Sequence, residues 1–454
     1  MSKLPIEIHR YETAQRRIAF IISSLNSNSV ITTRNIFKHI HASEAAIVLH
    51  FLSPSQREKL INILGSDFDP YILAFLDDEV REEIVDSWAN DQLGKALSSL
   101  NEHDALEILS ELHPEQRKAI LKSISPEIRI FLEEGLSYPE KSAGRLMCYQ
   151  VVALPQYWTM EKAKSFLAKA KHLPEEFYSI FIVDNFNKPV GFIKLQDVYR
   201  YAKSTVLSSC MEDVLFEAST DTDQEELALL FKQYSAINAP IVNKNGRIVG
   251  VINANLIVNI IFKESAEDLL HMAGVEDTGF HANIIETARA RFKWLFVSSC
   301  TAMLSSSVIG MFQGVISTHH QLSIVLPMTA AMGGNSGMQV VAVIIRALSN
   351  RQISTINVWR VLRKEVLVGL HNGFIFAILF GLISYFFISK QIAFVLSIAI
   401  MLNIVWSSLI GMVLPMMLDK MGLDPALSTA SFLTAMTDMM GYTALLLTAS
   451  YFLL

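Results

Sequence analysis

The sequence predicts a multi-domain, mostly helical chain: an N-terminal α-helical domain of solenoid-like character, two tandem α/β modules, a connecting helix, and a C-terminal α-helical domain that crosses a membrane five times. Three observations lead there. With 51% hydrophobic and 18% charged residues and a mean hydropathy of +0.34, the 454-residue chain is too apolar for a disordered or nucleic-acid-coating protein. The charge is split: from Asn283 onward there are ten basic and five acidic residues, whereas the first 282 carry 28 basic and 39 acidic ones. Finally, a strand-turn-strand-helix pattern occurs twice in the middle of the chain.

Residues 1–137 read as short amphipathic helices with recurring starts: Ser53-Pro54-Ser55-Gln56-Arg57, Asp77-Asp78-Glu79-Val80-Arg81 and His113-Pro114-Glu115-Gln116-Arg117. Each precedes an apolar helical face, and the early prolines and capping residues suggest a small solenoid. An ordinary helical domain with similar caps is the alternative. The N-terminus, MSKLPIEIHRYETAQRRIAF, carries charges throughout and no apolar stretch followed by a cleavage site, so no secretory signal is expected.

Residues 138–203 and 204–262 form the two α/β modules. Tyr178 to Asp184 followed by Pro189 to Ile193 matches Ala239 to Asn243 followed by Arg247 to Ile252, each pair joined by a turn carrying Asn and Lys. The tandem resembles a pair of cystathionine-β-synthase-type (CBS) modules, which sense ligands and do no chemistry. A connecting helix is assigned to residues 263–290.

Residues 291–454 hold five apolar stretches, near 294 to 316, 322 to 345, 366 to 388, 392 to 418 and 429 to 453, each long enough for the ~20 residues a bilayer requires. Placing the soluble part in the cytoplasm puts nine of the ten basic residues inside and leaves Lys390 outside, as the positive-inside rule favours. An odd number of spans then puts Leu454 outside. Cys148, Cys210 and Cys300 are far apart and show no metal-ligand spacing, consistent with a reduced compartment. The acidic front argues against nucleic acid and leaves cations open.

Two membrane segments carry chemistry. Asp438, in Thr434-Ala-Met-Thr437-Asp438, falls roughly 15 Å into the fifth span. A carboxylate there costs about 2.5 to 3.5 kcal/mol and requires a cationic partner or a proton. No Lys or Arg lies at matching depth in another span, so a transported cation is the simplest partner. A protonated Asp bonded to a neighbouring helix, or a proton relay, is the alternative. The second span carries Gly333-Gly334-Asn335-Ser336-Gly337-Met338-Gln339, small and amide residues in an apolar segment. Its glycines permit either close helix packing or a break whose carbonyls line a pore, while Asn335 and Gln339 require partners in hydrocarbon. Such hard oxygen donors suit Mg²⁺, and the membrane methionines read as flexible apolar filler rather than soft-metal ligands.

With these residues in place, the chain resembles the MgtE-type magnesium channels and transporters over nearly its whole length. The GGNSGMQ segment is similar to the family's Gly-Gly-Asn-x-Gly-x-Gln signature. Further matches are Tyr138 to Met147, Ala273-Gly274-Val275, Gly369 to Gly373, and Gly422-Leu423-Asp424-Pro425-Ala426 leading into the Asp438 stretch. The resemblance implies a homodimer in the inner (plasma) membrane, surrounded by lipid, with a pore between subunits and Asp438 as the ion-selecting carboxylate. Gly333, Gly334, Asn335, Gln339 and Thr434 would line that pore. It further implies that Mg²⁺ is both transported and regulatory, the cytosolic sensor matching Glu264, Glu267 and Asp268. Glu264 and Asp268, four apart, share a helix face and repel until a cation bridges them, although a solvated acidic face is the simpler reading of the residues themselves.

Departures from the family pattern bear on regulation. Where the family has an Asp-Asp pair and a further Asp, this chain reads Asn253-Ala254-Asn255-Leu256, then Asn259, which predicts weakened Mg²⁺ sensing. Leu256 at a ribose-binding position, and Lys194 for a hydroxyl residue near Asp197, argue against ATP at the CBS modules. Phe312-Gln313 replaces Phe-Glu near the outer end of the first span.

The expected function is potential-driven Mg²⁺ uptake gated by the cytosolic domains, other divalent cations being conceivable cargo. The alternatives are a proton- or sodium-coupled cation exporter using Asp438, and a non-transporting CBS nucleotide receptor. No phosphate loop and no nucleophile-base arrangement stands out, so an enzyme is not expected.

Overall fold

The computed structural model describes residues 19–25, 29–170, 173–174, 177–275, 284–354 and 356–453. The extreme N-terminus, Leu454 and the middle of the expected connecting helix lie outside these residues. The chain divides into two compact units, one ending at Ile260 and one built from Ile261 onward.

The first unit opens, after a helical turn at 19–25, with eight helices: α1 (Val30–Phe37), α2 (Ala42–Phe51), α3 (Pro54–Leu64), α4 (Asp78–Asp86), α5 (Asn90–Leu97), α6 (Glu102–Glu111), α7 (Pro114–Ser123) and α8 (Pro126–Ser137). Three begin at the recurring starts, with Ser53, Asp77 and His113 as N-caps. At Ser53 the capping box is complete, Gln56 returning its side chain to the Ser53 amide.

The arginines four residues after Asp77 and His113 have a common task. Arg81 donates to the carbonyls of Leu73 and Leu76 and to Glu111, while Arg117 donates to those of Ser110 and Leu112. Each satisfies acceptors that the preceding helical segment leaves open at its end. Arg57, also buried, pairs with Glu83 of α4 at 3.2 Å. A single apolar core, including Leu49, Leu60, Leu93, Leu109 and Leu132, runs through these helices.

Beyond a short helix, α9 (Ala143–Leu146), the chain forms two matching three-stranded sheets. In the first, β1 (Ala153–Pro155) runs parallel to β2 (Ser179–Val183), which pairs antiparallel with β3 (Pro189–Lys194). The second repeats this order with β4 (Ala218–Ser219), β5 (Asn238–Val242) and β6 (Ile248–Asn253). Both carry an irregularity at the same place, Ile182/Val183 and Ile241/Val242. Helices α10 (Met160–Lys169) and α11 (Gln224–Tyr234) precede β2 and β5. The turn chemistry is duplicated as well: Asp184 accepts the amides of Phe186 and Lys188, and Asn243 those of Asn245 and Arg247.

From β6 the chain passes directly into α12 (Ala254–Met272), so this helix starts nine residues before the expected boundary at 263. It stops at Gly274, whose φ of +70° lets the amides of Gly274 and Val275 fold back onto the carbonyls of His271 and Leu270. The connecting segment 263–290 is therefore not one uninterrupted helix.

The second unit continues with α13 (Ile284–Met311), α14 (Gln313–Thr318), α15 (Leu322–Ser349), α16 (Val358–Phe387), α17 (Lys390–Lys420) and α18 (Pro425–Leu453). Among the described residues four helices are long and apolar enough to cross a membrane, Thr287–Met311 within α13, and α15, α16 and α17. The fifth expected stretch lies within the 29-residue α18. The first expected span breaks at Phe312, between Gly310 and Gly314, before α14 begins.

Small residues set the close packing. Gly369, Gly373, Ala377 and Gly381, four apart, form the buried seam of α16, and an added Cβ at Gly369 or Gly381 would collide with Ser408 or Ser397 of α17. Helix α15 stays unbroken through Gly333 and Gly337. A Cβ at Gly333 would overlap the Asn403 side chain, and one at Gly337 would press on Leu433. These two glycines serve packing rather than a pore-lining break.

Candidate functional site

A cavity of about 350 Å³ opens within the second unit, between α13, α18 and the turn at Ala273 to Val275. Its polar lining comes from Arg291, Ser298, Thr301, Ser305, Thr434 and Asp438, with Ser431 beside them. The α13 hydroxyls recur at i, i+3 and i+7, which places them on one helix face. Ser298 and Ser431 lie 3.1 Å apart, Oγ to Oγ, across the two helices. Thr434 and Ser305 return hydrogen bonds to the carbonyls of Ala430 and Thr301 one turn earlier, so these hydroxyls keep lone pairs for other donors or for a cation.

Asp438 is half-buried, on the same face of α18 as Thr434. Among the described residues it has no basic partner and no hydrogen-bond donor. Thr437 beside it is fully buried, its hydroxyl spent on the carbonyls of Leu433 and Thr434. A carboxylate flanked by hydroxyls in a space larger than several waters suits an outer-sphere site, where a small, strongly hydrated divalent ion keeps most of its waters.

The structure therefore brings Asp438 and Thr434 into one cavity, but it does not bring the glycine-amide segment to them. Asn335 and Gln339 are exposed on α15, Gly333 is buried against Asn403, and Gly334 has only Thr437 Oγ1 at 4.0 Å from an added Cβ.

The acidic residues of α12 form a second group. His271, one turn beyond Glu267, lies 3.9 Å from it through Nε2, and its Nδ1 lies 2.6 Å from Asp424 Oδ2. Burial first, and then the charges of Asp424, Glu264 and Glu267, push the Asp268 carboxyl above its ordinary range, while His271 pulls it down. This is the crowding that a bound cation would relieve.

Elsewhere, Asn255 and Asn259 are exposed four residues apart on α12, carrying amides where the resemblance anticipates carboxylates. In the first α/β module, Lys194 is engaged with Glu212 at 2.7 Å and Asp197 with Arg200 at 3.0 Å.

Sequence reasoning missed Ser298, Thr301 and Ser305, although their helical spacing was available as a signal. It also missed His271, which lies at i+4 from Glu267. Two features had no sequence signal: Asp424 as the partner of His271, and Asn403, fully buried and donating to the Thr329 carbonyl at 2.8 Å.

Comparison with known proteins gives three family matches: divalent cation transporter MgtE over residues 326–448, MgtE intracellular N domain over 40–141, and CBS domain over 207–263. The magnesium transporter MgtE of Thermus thermophilus is 29% identical over 341 residues, covering 74% of this chain and 76% of the relative. Its namesake from Bacillus subtilis is 22% identical over 94% of this chain and 95% of its own. Among solved structures, the cytosolic domain of the Mg²⁺ channel MgtE in complex with ATP is similar in fold, with a TM-score of 0.50 and 24% identity, covering 54% of this chain and 99% of that one.

Proposed function

This chain belongs to the MgtE family of divalent cation transporters, and on that premise we propose that it carries Mg²⁺ across the inner (plasma) membrane, as a homodimer gated by its cytosolic domains. The observation that carries the reading is the hydroxyl-lined cavity containing Asp438, a carboxylate in an apolar helix with no basic partner among the described residues.

In this reading residues 1–137, 138–203 and 204–262 face the cytoplasm, 263–290 connect, and five helices within 291–454 cross the bilayer with Leu454 outside. Two copies of Asp438 about the dimer axis form the hydrated-ion site. Exposed Asn335 and Gln339, with Gly334 and Thr434, come to line the pore only in the dimer. At about 100 mV, inside negative, a divalent ion gains about 4.6 kcal/mol on entry, so uptake requires no chemical step. The cytosolic part is a sensor rather than an enzyme.

Closure at high cytosolic Mg²⁺ operates through Glu264, Glu267 and Asp268. Loss of carboxylates at Asn253, Asn255 and Asn259 makes this closure weak. The engaged Lys194 and Asp197, with Leu256, argue against ATP binding at the CBS modules.

The test is Mg²⁺ uptake into proteoliposomes under an inside-negative potential, comparing wild type with Asp438→Asn while Mg²⁺ is titrated on the cytosolic face. Uptake that depends on Asp438 and persists at high Mg²⁺ supports both parts of the proposal. Uptake lost at low millimolar Mg²⁺ keeps transport and overturns the weakened sensor. Flux that dissipates a proton or sodium gradient stoichiometrically indicates a coupled exporter, and absence of flux indicates a receptor.

A further inference from the structure

A groove of about 640 Å³ in the second unit lies away from the Asp438 cavity, between the end of α16, the start of α17 and the end of α18. Its walls are apolar: Ile378, Leu382, Phe394 and Phe452 present half-exposed side chains to it. Gly381, lacking a side chain, deepens the floor, and the Ser397 hydroxyl there is turned onto the Ala377 carbonyl at 2.9 Å. The floor therefore offers hydrocarbon contact and little else.

At the mouth the chemistry changes. Lys390 and Gln391 open α17, and the Lys390 ammonium stands 6.0 Å from the Tyr385 ring centre. The exposed rings of Tyr385, Phe394 and Phe452 line the groove and stand in edge-on pairs, Tyr385 with Phe386, and Phe452 with both Phe394 and Tyr451. Rings at this position mark the level of a membrane-water interface. Lys390 is the one Lys or Arg between Lys364 and Lys420, and no Asp or Glu occurs between Glu365 and Asp419. Among the described residues it has no carboxylate partner.

We infer that this groove binds one phospholipid with an anionic headgroup, an acyl chain lying between α16 and α17 and the headgroup phosphate meeting Lys390. The inference rests on the membrane reading of these helices and is independent of which ion they carry. An apolar groove at the level of the acyl chains excludes water-soluble ligands, and an ammonium at its rim with no carboxylate partner among the described residues discriminates among lipid headgroups by charge.

The experiment uses the full chain purified in detergent and native mass spectrometry with dioleoylphosphatidylglycerol and dioleoylphosphatidylcholine in equal amounts. Wild type should retain the anionic lipid in preference, by roughly fivefold, the worth of one exposed charge pair. Lys390→Glu should abolish that preference while leaving some retention of both. Leu382→Trp, or Ile378→Trp should the first fail to fold, should lower retention of both by filling the groove. Equal retention of the two lipids by wild type, or a preference that survives Lys390→Glu, overturns the headgroup assignment. Unchanged retention in the tryptophan variants overturns the groove, and a loss of self-association in those variants with lipid retention intact assigns it instead to a second copy of the chain. Mg²⁺ uptake measured on the same preparations separates this outcome from failure of the transport reading, since lipid preference is read without flux.

Discussion

His271 and Asp424 are joined at 2.6 Å, Nδ1 to Oδ2, and this contact ties the last turn of α12 to the first residue before α18. The other oxygen of Asp424 caps α18 by accepting the Ala426 amide at 2.8 Å. One carboxylate therefore holds the start of the helix that carries Asp438 and the end of the helix that carries Glu264, Glu267 and Asp268.

Asp424→Asn should keep the cap and weaken the tie. A partly exposed contact of this kind is worth about 1 kcal/mol, so the cytosolic Mg²⁺ needed for half-closure should rise roughly fivefold. Flux measured against cytosolic Mg²⁺ checks this, and an unshifted curve refutes it.

The crowded Asp268 predicts a pH dependence with a definite sign. Its folded value lies above the ordinary 3.8, so between the two the folded state holds more proton than the unfolded one. Its contribution to stability is present at low pH and is lost as pH rises through the raised value. In metal-free protein Asp268→Asn should flatten this part of the stability profile, and added Mg²⁺ should do the same for wild type. Thermal melting in detergent across that interval reads both effects, and a variant with the wild-type slope would contradict the assignment.

Packing around Asn403 gives a double-mutant test. Gly333→Ala should destabilise the membrane unit, because the new methyl overlaps the Asn403 amide. Asn403→Ala alone should cost about 1 to 3 kcal/mol by removing the donor to Thr329. Combined, the two should cost less than the sum of the singles, since truncating Asn403 frees the space that the new methyl requires. Additive losses in melting temperature would show that the two side chains do not meet.

Thr301→Leu places a branched apolar group on the hydroxyl-bearing wall of the Asp438 cavity. Uptake should fall roughly tenfold, equivalent to about 1.4 kcal/mol on passage, with little change in melting temperature. Undiminished uptake in a folded Thr301→Leu protein would remove this cavity from the ion's route.

Local signals in the sequence carried much of the organisation. Caps at Ser53, Asp77 and His113 were legible because capping depends on residues within one helical turn. The duplicated turns at Asp184 and Asn243 were legible for the same reason, each side chain bonding amides two and four residues on. Apolar stretches marked the long helices, and the position of Asp438 within one of them marked the candidate site.

Other features depend on distant segments meeting, and no local pattern encodes them. Whether Gly333 opened a pore or admitted a neighbour was ambiguous in one dimension, since both uses require the same missing side chain. Only the arrival of Asn403, seventy positions away, selects packing. Likewise, Asp268 is an ordinary helical carboxylate until Asp424 is brought beside it. By itself the sequence determined the capped helix starts, the duplicated strand-turn-strand pattern, which stretches are apolar, and which family the chain resembles, because these follow from residue type and short-range spacing. The tertiary structure alone decided which polar groups share the Asp438 cavity, which glycines serve packing, and where Lys390 meets an apolar groove, because those depend on the directions in which whole helices present their side chains to one another.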